Sequence, residues 1–398
     1  MTDSLTGPAA AASPTTDELI RSAVDLARVC LGMDVGFVTE FKDGVRIFRH
    51  VASIEGFNPI KIGDCNPLEE SYCQQIVSGA IPAAVQDSHL HPTLRVLAAT
   101  DALQIRAHLG VPILFSNGDV FGTFCCYSRD PAANLSPFNI DAMSHFACLI
   151  GQLLEPRVQD ERARARLVER MQGVIAQCRF HIVYQPVVDL DCGAVVGYEA
   201  LARFDAEPAR GPDEWFSEAH AIELGHWLEV LAIEKAMEGL TRIPEGQYLA
   251  LNVSPQTILA GALDQALCDA PLERLVLEVT EHSSIGDYSL LSGALARLRG
   301  RGLRLAVDDA GSGYASFRHI LKLQPDTIKL DQSLILDIDH DRCSRALAAA
   351  LITFARETGS CVVAEGVETE QELATLRALG VSTAQGYLLG RPGVLPTR

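Results

Sequence analysis

The segment from Arg304 to Gly311 reads RLAVDDAG, a short apolar run that ends on two adjacent aspartates, an alanine and a glycine. Its apolar residues predict a buried strand. Burial of an unpaired carboxylate is costly, so two aspartates at the end of such a strand predict a bound cation. We expect the other ligands of that cation at the ends of neighbouring strands.

Seven further short apolar runs follow residue 180, and helical patterns separate most of them. Strands that alternate with helices over about 220 residues predict a parallel β/α arrangement, and eight strands predict a closed (β/α)8 barrel. In such a barrel the functional side chains lie at the C-terminal ends of the strands. The runs are HIVYQPVVDL (181–190), AVVGYEALARF (194–204), YLALNVSP (248–255), LVLEVTE (275–281), TIKLD (327–331), CVVAEGVE (361–368) and AQGYLLG (384–390).

Polar or charged residues interrupt seven of the eight predicted strands. One such residue would more often be structural, but oxygen-bearing groups on this many strands indicate a cation. Carboxylates with an amide oxygen, and no Cys or His among them, suit hard ions such as Mg²⁺ or Mn²⁺. Five carboxylates are more than one magnesium ion normally takes from a protein, so we expect two ions that share a bridging aspartate, an arrangement suited to phosphodiester hydrolysis. The residues are Glu199, Asn252, Glu278, Asp308, Asp309, Lys329, Glu365 and Gln385.

The order of these motifs resembles that of the EAL-domain cyclic di-GMP phosphodiesterases, and Glu199-Ala200-Leu201 supplies the Glu-Ala-Leu triplet. The resemblance covers about residues 170–395. It is carried by YQPVVDL, GYEALARF, LNVSP, LEVTE, AVDDAGSGYAS, IKLD, AEGVET and AQGYLLGRP. It implies hydrolysis of cyclic di-GMP to linear pGpG by a water molecule that two metal ions activate.

The resemblance also implies roles for individual residues. Glu199, Asn252, Glu278 and Asp308 match ligands of the first metal, and Asp308 is expected to bridge to the second. Asp309 and Glu365 match ligands of the second metal or residues that hold its waters. The catalytic set is expected to comprise Glu199, Lys329 and Glu365.

Other residues match positions around this centre. Lys329 matches a lysine beside the attacking water, where it acts as a base or stabilises hydroxide. Gln385 matches a residue that orients metal-bound water or Glu365. Arg203 matches an arginine that contacts the substrate phosphate. Gln185 and Leu201 match residues that line the substrate groove.

The loop after the aspartate pair, AGSGYAS, contains two glycines and small residues, so it is suited to changing conformation. Glu281 matches the glutamate that anchors this loop in the family, although an acid at a helix N-terminus is also common. Two positions depart from the family pattern. Ala310 stands where Phe is usual, and Leu330 replaces Ile. Neither change removes a predicted ligand.

Residues 17–155 resemble a GAF domain, a small α/β sensor module with a central antiparallel sheet. HLGVPILF, the turn SNGD and VFGTFCCYS (108–128) form its clearest predicted hairpin, because Asn-Gly suits a tight turn. The ligand of this module stays unknown, and we predict no site in it. Cys125 or Cys126 is a candidate chromophore or redox thiol, but packing is the stronger interpretation for these adjacent strand cysteines. His89, His91 or His108 is a candidate haem ligand, but a satisfied polar residue is the stronger interpretation.

The segments outside the two modules give weaker patterns. Residues 1–16 are rich in Pro, Ala, Ser and Thr, which predicts disorder. Residues 156–178 predict a helical linker in which Pro156 causes a kink or a restart. This helix either packs on its own domain or forms a parallel dimer helix, and the family resemblance also favours a homodimer. The barrel domain is expected to span residues 179–398.

The charge, the cysteine spacing and the apolar runs of the sequence argue against several kinds of partner and location. The net charge of −18 repels polyanions and argues against binding to duplex nucleic acid or an acidic membrane surface. The eleven cysteines include no C-x-x-C pair, which favours a reducing, cytoplasmic location over disulfides or zinc. We found no signal peptide pattern and no stretch of about 18 apolar residues, so no membrane span is predicted.

Two other functions are compatible with parts of this pattern, a non-catalytic receptor and a diguanylate cyclase. Degenerate members of the family bind cyclic di-GMP or a protein partner without cleaving the dinucleotide. Because every matched ligand and Lys329 is present here, the sequence favours the enzyme. A diguanylate cyclase is excluded by the lack of a GGDEF-like motif in these 398 residues.

Overall fold

The computed structural model describes residues 14–132, 135–279, 285–311 and 314–395. Two compact units divide between Ala163 and Arg164. Most of the segment predicted to be disordered, residues 1–16, lies outside the described residues. Its last residue, Thr16, begins the first helix, and Thr15 caps that helix by accepting a hydrogen bond from the backbone N–H of Glu18.

The first unit is built on a six-stranded antiparallel sheet with the order β3-β2-β1-β6-β5-β4. The predicted hairpin is present, because β5 and β6 pair with each other on either side of the Asn117-Gly118 turn. The strands are β1 Val35–Lys42, β2 Val45–Ser53, β3 Cys65–Pro67, β4 Ala84–Val85, β5 Ala107–Leu114 and β6 Val120–Ser128. The helices are α1 Thr16–Leu31, α2 Tyr72–Val77, α3 Ala98–Ala102 and α4 Pro137–Ala176.

Each face of this sheet packs against helices. One face forms a core with α1 and the first turns of α4, and it includes Val24, Phe124 and Met143. The opposite face forms a core with α2, which contributes Tyr72 and Cys73. Consecutive residues of a strand point to opposite faces, so the neighbours Cys125 and Cys126 of β6 belong to different cores.

The helix α4 has 40 residues and passes through Pro156 without ending. Proline lacks an N–H and removes one hydrogen bond of the helix, which is why the sequence indicated a kink or a restart there. The helix does not restart at Pro156, and the division between the two units falls within it.

The second unit is a closed eight-stranded barrel with the cyclic order β7-β8-β9-β10-β11-β12-β13-β14. Its strands are β7 Phe180–Asp189, β8 Val195–Phe204, β9 Tyr248–Val253, β10 Leu275–Val279, β11 Arg304–Ala310, β12 Thr327–Leu330, β13 Cys361–Ala364 and β14 Thr383–Ala384. Its helices are α5 Pro212–Ala221, α6 Gly225–Met237, α7 Pro255–Leu259, α8 Leu263–Ala266, α9 Tyr288–Arg299, α10 Tyr314–Leu323, α11 Gln332–Ile335, α12 Arg342–Thr358 and α13 Glu370–Ala378.

One strand corrects the prediction of an entirely parallel barrel. Strand β7 runs antiparallel to both of its neighbours, β8 and β14. A parallel pair needs a crossover of a dozen or more residues, whereas only residues 190–194 connect β7 to β8. The remaining adjacent strands are parallel. No helix among the described residues combines the length and the apolar character that a membrane span requires.

Candidate active site

The polar residues predicted on the barrel strands gather at one end of the barrel. Glu199 lies on β8, Asn252 on β9, Glu278 on β10, and Asp308 and Asp309 on β11. Lys329 lies on β12, while Glu365 and Gln385 directly follow β13 and β14. Most of these side chains are buried, as are those of their apolar neighbours on the same strands. A short buried strand that ends on an acid therefore delivers that acid into the barrel mouth, which is what the sequence pattern indicated.

The side chain of Lys329 is at the centre of this cluster. Its Nζ lies 2.6 Å from Oε1 of Glu365 and 2.7 Å from Oε2 of Glu278. Two further carboxylates are near, at 3.2 Å for Oδ1 of Asp308 and 3.4 Å for Oε2 of Glu199. Only 2% of the Lys329 side chain is exposed, so these four ion pairs are largely screened from water. One ammonium thus faces four carboxylates.

The charges in this cluster shift one another's protonation. Burial disfavours the charge on Lys329, but Asp308, Glu199, Glu278 and Glu365 raise its pKa well above the ordinary value. Burial raises the pKa of Glu278. Lys329 lowers it, but the neighbouring acids raise it further, so the pKa lies well above its ordinary value. The pKa of Glu365 is raised in the same way, first by burial and then by Asp308. The negative charge of the cluster therefore exceeds what Lys329 compensates.

Glu199 differs from the other acids because hydrogen bonds support its charge. Burial opposes ionisation, but Lys329, Asn252 and Gln385 together lower its pKa. Nδ2 of Asn252 donates to Oε1 of Glu199 at 2.9 Å, and Nε2 of Gln385 donates to Oε2 at 2.8 Å. The same Gln385 nitrogen donates to Oε1 of Gln185 at 2.9 Å. Glu199 is therefore held as a carboxylate in a fixed orientation.

Asp308 and Asp309 point into the same cluster although they are adjacent in sequence. On a regular strand they would point to opposite faces of the sheet. Asp309 instead adopts a φ of 56°, in the left-handed region that aspartate tolerates better than most residues. The pairing of β11 with β12 also shifts register between Val307 and Ala310. This break in the strand turns both carboxylates towards the barrel mouth.

The acids form two groups that fit hard divalent cations. Oxygen atoms of Glu199, Glu278 and Asp308 lie within 4.8 Å of one another, and so do oxygen atoms of Asp308, Asp309 and Glu365. Asp308 belongs to both groups, as a bridging ligand would. The donors are oxygens throughout, and their negative charge exceeds that of the one lysine, so the residues fit Mg²⁺ or Mn²⁺ better than a soft metal.

The remaining predicted residues lie at varying distances from the cluster. Gln185 of β7 is paired in register with Glu199 and donates to the carbonyl of Gly390 at 3.1 Å. Leu201 and Arg203 follow Glu199 at alternate positions of β8 and so share its face of the strand. Nη1 of Arg203 donates to the carbonyl of Ala202 at 2.8 Å and has no ion pair to the described acids.

Two predictions concern the loop beside the aspartates. Glu281 lies outside the described residues, so its anchoring role stays a prediction. Ala310 is fully buried in the barrel core, next to Asp309. The backbone carbonyl of Gly390 accepts a hydrogen bond from Gln185. The sequence does not predict this contact, because every residue type has a backbone carbonyl.

Family models match both parts of the chain. The EAL domain model matches residues 168–392, and the GAF domain model matches residues 15–154. The first match covers more than half of the chain and includes the whole acidic cluster.

Relatives that are named as cyclic di-GMP phosphodiesterases match more than half of the chain. A cyclic di-GMP phosphodiesterase of Pseudomonas aeruginosa is 35% identical over 246 residues, which are 58% of this chain and 41% of that protein. A second one from the same organism, NbdA, is 32% identical over 239 residues, which are 57% of this chain and 30% of that protein. The chain thus spans less than half the length of these relatives.

Solved structures share the barrel. The MucR phosphodiesterase in complex with cyclic di-GMP matches with a TM-score of 0.50 and 28% identity, over 57% of this chain and 98% of that one. The FimX EAL domain of Xanthomonas citri, also in complex with cyclic di-GMP, matches with a TM-score of 0.53 over 61% of this chain and 98% of that one. Its 22% identity supports the fold alone.

Proposed function

The chain belongs to the EAL domain family, and we propose that it hydrolyses cyclic di-GMP to linear pGpG at the cluster around Lys329. The observation that carries this proposal is the pair of carboxylate groups that share Asp308 at the mouth of the barrel. Related proteins named as cyclic di-GMP phosphodiesterases support the choice of substrate. Since the chain matches only part of each relative, the activity of the whole protein is part of the proposal.

We assign two divalent ions, Mg²⁺ or Mn²⁺, to the two carboxylate groups. Glu199, Asn252, Glu278 and Asp308 would hold the first ion, and Asp308, Asp309 and Glu365 would hold the second. When bound, such ions supply positive charge that makes hydroxide available near neutral pH and stabilises phosphoryl oxygens. The Nδ2–H of Asn252 donates a hydrogen bond to Glu199, so the side-chain oxygen of Asn252 is the atom that would serve as the metal ligand.

The residues of the chain position and stabilise the reacting groups. Lys329 is an ammonium donor surrounded by four carboxylates, so we assign it the stabilisation of hydroxide rather than the removal of a proton. Gln385 and Asn252 keep Glu199 ionised and oriented. Arg203 carries the guanidinium on the same face of β8 as Glu199, and we assign it to a substrate phosphate because its planar fork suits phosphate oxygens.

Regulation and assembly are part of the same proposal. We infer that the GAF domain controls the phosphodiesterase, because the two modules occur in one chain. We also propose that the active form is a homodimer, as the family resemblance implies. Light scattering on the purified chain would give its mass in solution, and a mass of 43.0 kDa would contradict the dimer.

The central experiment incubates the full chain with cyclic di-GMP and excess Mg²⁺ or Mn²⁺ and separates the products by anion-exchange chromatography. We expect pGpG, and we expect its loss in Glu199→Gln and Glu278→Gln. The matched control is Glu245→Gln, which makes the same change at an exposed position and should keep wild-type activity. Tight binding of cyclic di-GMP with neither ion supporting turnover would contradict the enzyme and identify a receptor.

A further inference from the structure

The face of the first sheet that packs against α2 carries a row of buried polar groups. Arg46 comes from β2, Thr39 from β1, and Thr123 and Cys125 from β6, while α2 places Cys73 above them. All five side chains are at most 4% exposed. The two threonine hydroxyls lie 2.9 Å apart, and Sγ of Cys125 lies 3.3 Å from Oγ1 of Thr123. None of these residues takes part in the proposed phosphodiesterase reaction.

Arg46 is a buried cation with no carboxylate among its hydrogen-bond partners in the described part of the chain. Its guanidinium donates to Oδ1 of Asn66 at 2.8 and 3.2 Å, and Nη1 donates to Sγ of Cys73 at 3.4 Å. Within the described ranges, no carboxylate lies in ion-pair distance of this guanidinium. A buried charge requires compensation, and the thiol of Cys73 is the one ionisable acid among these hydrogen-bond partners. The structure therefore points to a thiolate at Cys73.

The two cysteines have opposite acidities. Burial opposes ionisation of Cys73, but the hydrogen bond from Cys125 and the charge of Arg46 lower the pKa of its thiol to about 5. Burial and the neighbouring Cys73 raise the pKa of Cys125. A thiolate beside a neutral thiol is one condition for thiol oxidation followed by disulfide formation. Because both sulfurs are buried, the oxidant must also be small enough to reach them between the sheet and α2.

The sulfur atoms are close enough to react with each other. Sγ of Cys73 lies 4.0 Å from Sγ of Cys125, and a disulfide bond is about 2.05 Å long. Gly110 of β5 lies opposite Cys125, and a Cβ at this glycine would stand 2.7 Å from the Cys125 sulfur. The lack of a side chain at Gly110 thus makes room for the sulfur on this face of the sheet.

We propose that Cys73 and Cys125 are a redox pair that a small hydroperoxide, such as hydrogen peroxide, converts to an intramolecular disulfide. The thiolate of Cys73 attacks one peroxide oxygen, the O–O bond breaks, and a sulfenic acid and hydroxide are formed. The thiol of Cys125 then attacks the sulfenic sulfur, its proton leaves with the departing oxygen as water, and the S–S bond forms. Two electrons pass from the sulfurs to the peroxide, and a dithiol reverses the change.

Cys126 provides a matched comparison within the same strand. It is as buried as Cys125, but its side chain belongs to the core on the other face of the sheet, away from Cys73 and Arg46. Burial raises the pKa of its thiol. Cys126 should therefore be inert under conditions that oxidise the pair.

The test detects the linked peptides directly. Trypsin leaves Cys65 with Cys73, between Lys61 and Arg95, and Cys125 with Cys126, between Arg106 and Arg129. The full chain is therefore prepared with Cys65→Ser and Cys126→Ser, treated with one equivalent of hydrogen peroxide, alkylated and digested without reductant. Mass spectrometry should find the Cys73 and Cys125 peptides joined, two hydrogens lighter than their sum, and separated by a dithiol. Oxidation of exposed cysteines without this link would overturn the proposal.

A second measurement examines the role of Arg46. In a Cys125→Ser variant the sulfenic acid of Cys73 has no partner, so dimedone should trap it. Adding Arg46→Met should slow this trapping by about tenfold or more, because the thiolate fraction falls when the cation is removed. Arg46→Lys keeps a positive charge and should restore most of the rate. Equal rates in all three variants would contradict the assignment, and circular dichroism establishes that each variant is folded.

Discussion

Nζ of Lys329 donates a hydrogen bond to Oε2 of Glu278 at 2.7 Å, across the barrel from β12 to β10. The strand between them, β11, supplies Asp308 at 3.2 Å from the same ammonium. A single cation on β12 thus pairs with acids from the two preceding strands, β10 and β11. Divalent ions bound to the same acids should also compensate their negative charge. The stability of the barrel should therefore depend on both Lys329 and the bound metal.

The first prediction concerns Lys329→Met. Removal of one partner of a buried ion pair leaves an uncompensated charge and typically costs about 3–5 kcal/mol. We expect a loss of that order in urea unfolding with a chelator, and a smaller loss with excess Mn²⁺. Both tryptophans of the chain, Trp215 and Trp227, lie in the barrel unit, so their fluorescence follows barrel unfolding.

Lys322→Met is the control for this prediction, because Lys322 is exposed and its loss should change stability by less than about 0.5 kcal/mol. The interpretation fails if Lys329→Met is equally destabilised with and without Mn²⁺. It also fails if the control variant loses as much stability as Lys329→Met.

The second prediction concerns Gln385→Leu. Gln385 donates to both Glu199 and Gln185, so its loss should free Glu199 to rotate. Loss of a residue that orients a metal ligand typically lowers metal affinity by about 10- to 100-fold. The Mn²⁺ concentration for half-maximal pGpG formation should rise by that factor. Gln371→Leu, at an exposed position of α13, should leave it unchanged, and an unchanged midpoint in Gln385→Leu would contradict the positioning role.

Much of the barrel and its acidic cluster could be predicted from the sequence, because seven of the eight strands are apolar runs that are interrupted or followed by a polar or charged residue. Glu199, Glu278 and Lys329 are such residues, and the structure brings them together. The direction of β7 was missed, although its five-residue connection to β8 was a readable signal. The prediction of an entirely parallel barrel followed the alternation of strands and helices in the rest of this region and did not take the short connection into account.

Other features depend on backbone geometry or on contacts distant in sequence. The left-handed backbone of Asp309 turns its carboxylate beside that of Asp308, and adjacent aspartates alone do not reveal this. Cys73 and Cys125 are 52 residues apart, and the contact between them follows from the packing of α2 on the sheet. Two adjacent cysteines in an apolar strand favour packing as the interpretation of Cys125, and nothing in the local sequence points to Cys73 as its neighbour.

The third prediction compares two glycines of the barrel unit. Gly386 is buried beneath the backbone of Val367, and an alanine Cβ there would stand 2.1 Å from the Val367 carbonyl oxygen. Relief of this clash would require the backbone to move, so Gly386→Ala should lower the free energy of unfolding by about 3 kcal/mol. Gly293 lies within α9 with no atom within 4 Å of an added Cβ, so Gly293→Ala should raise it by about 0.5–1 kcal/mol. Urea unfolding followed by tryptophan fluorescence measures both, and destabilisation of similar size in the two variants would contradict the steric argument.

The last prediction concerns His108 in the first unit, which is fully buried and has no hydrogen-bond partner at either ring nitrogen among the described residues. Burial, aided by the charge of Arg46, lowers its pKa from 6.5 to about 3. The folded state therefore keeps the ring neutral, while the unfolded chain binds a proton below about pH 6.5. The stability that this neutral ring contributes is fully present above that pH and is lost as the pH falls towards 3.

At about pH 5 the loss should amount to roughly 2 kcal/mol relative to neutral pH, since each pH unit between the two pKa values contributes about 1.4 kcal/mol. The tryptophans report on the other unit, so hydrogen exchange in peptides of β5 and β6 is the suitable measurement. His108→Phe should abolish this part of the pH dependence, because phenylalanine fills similar space without titrating. His145→Phe, at an exposed position, should retain it. If both variants keep the wild-type dependence, the proton is taken up elsewhere and the assignment to His108 is wrong.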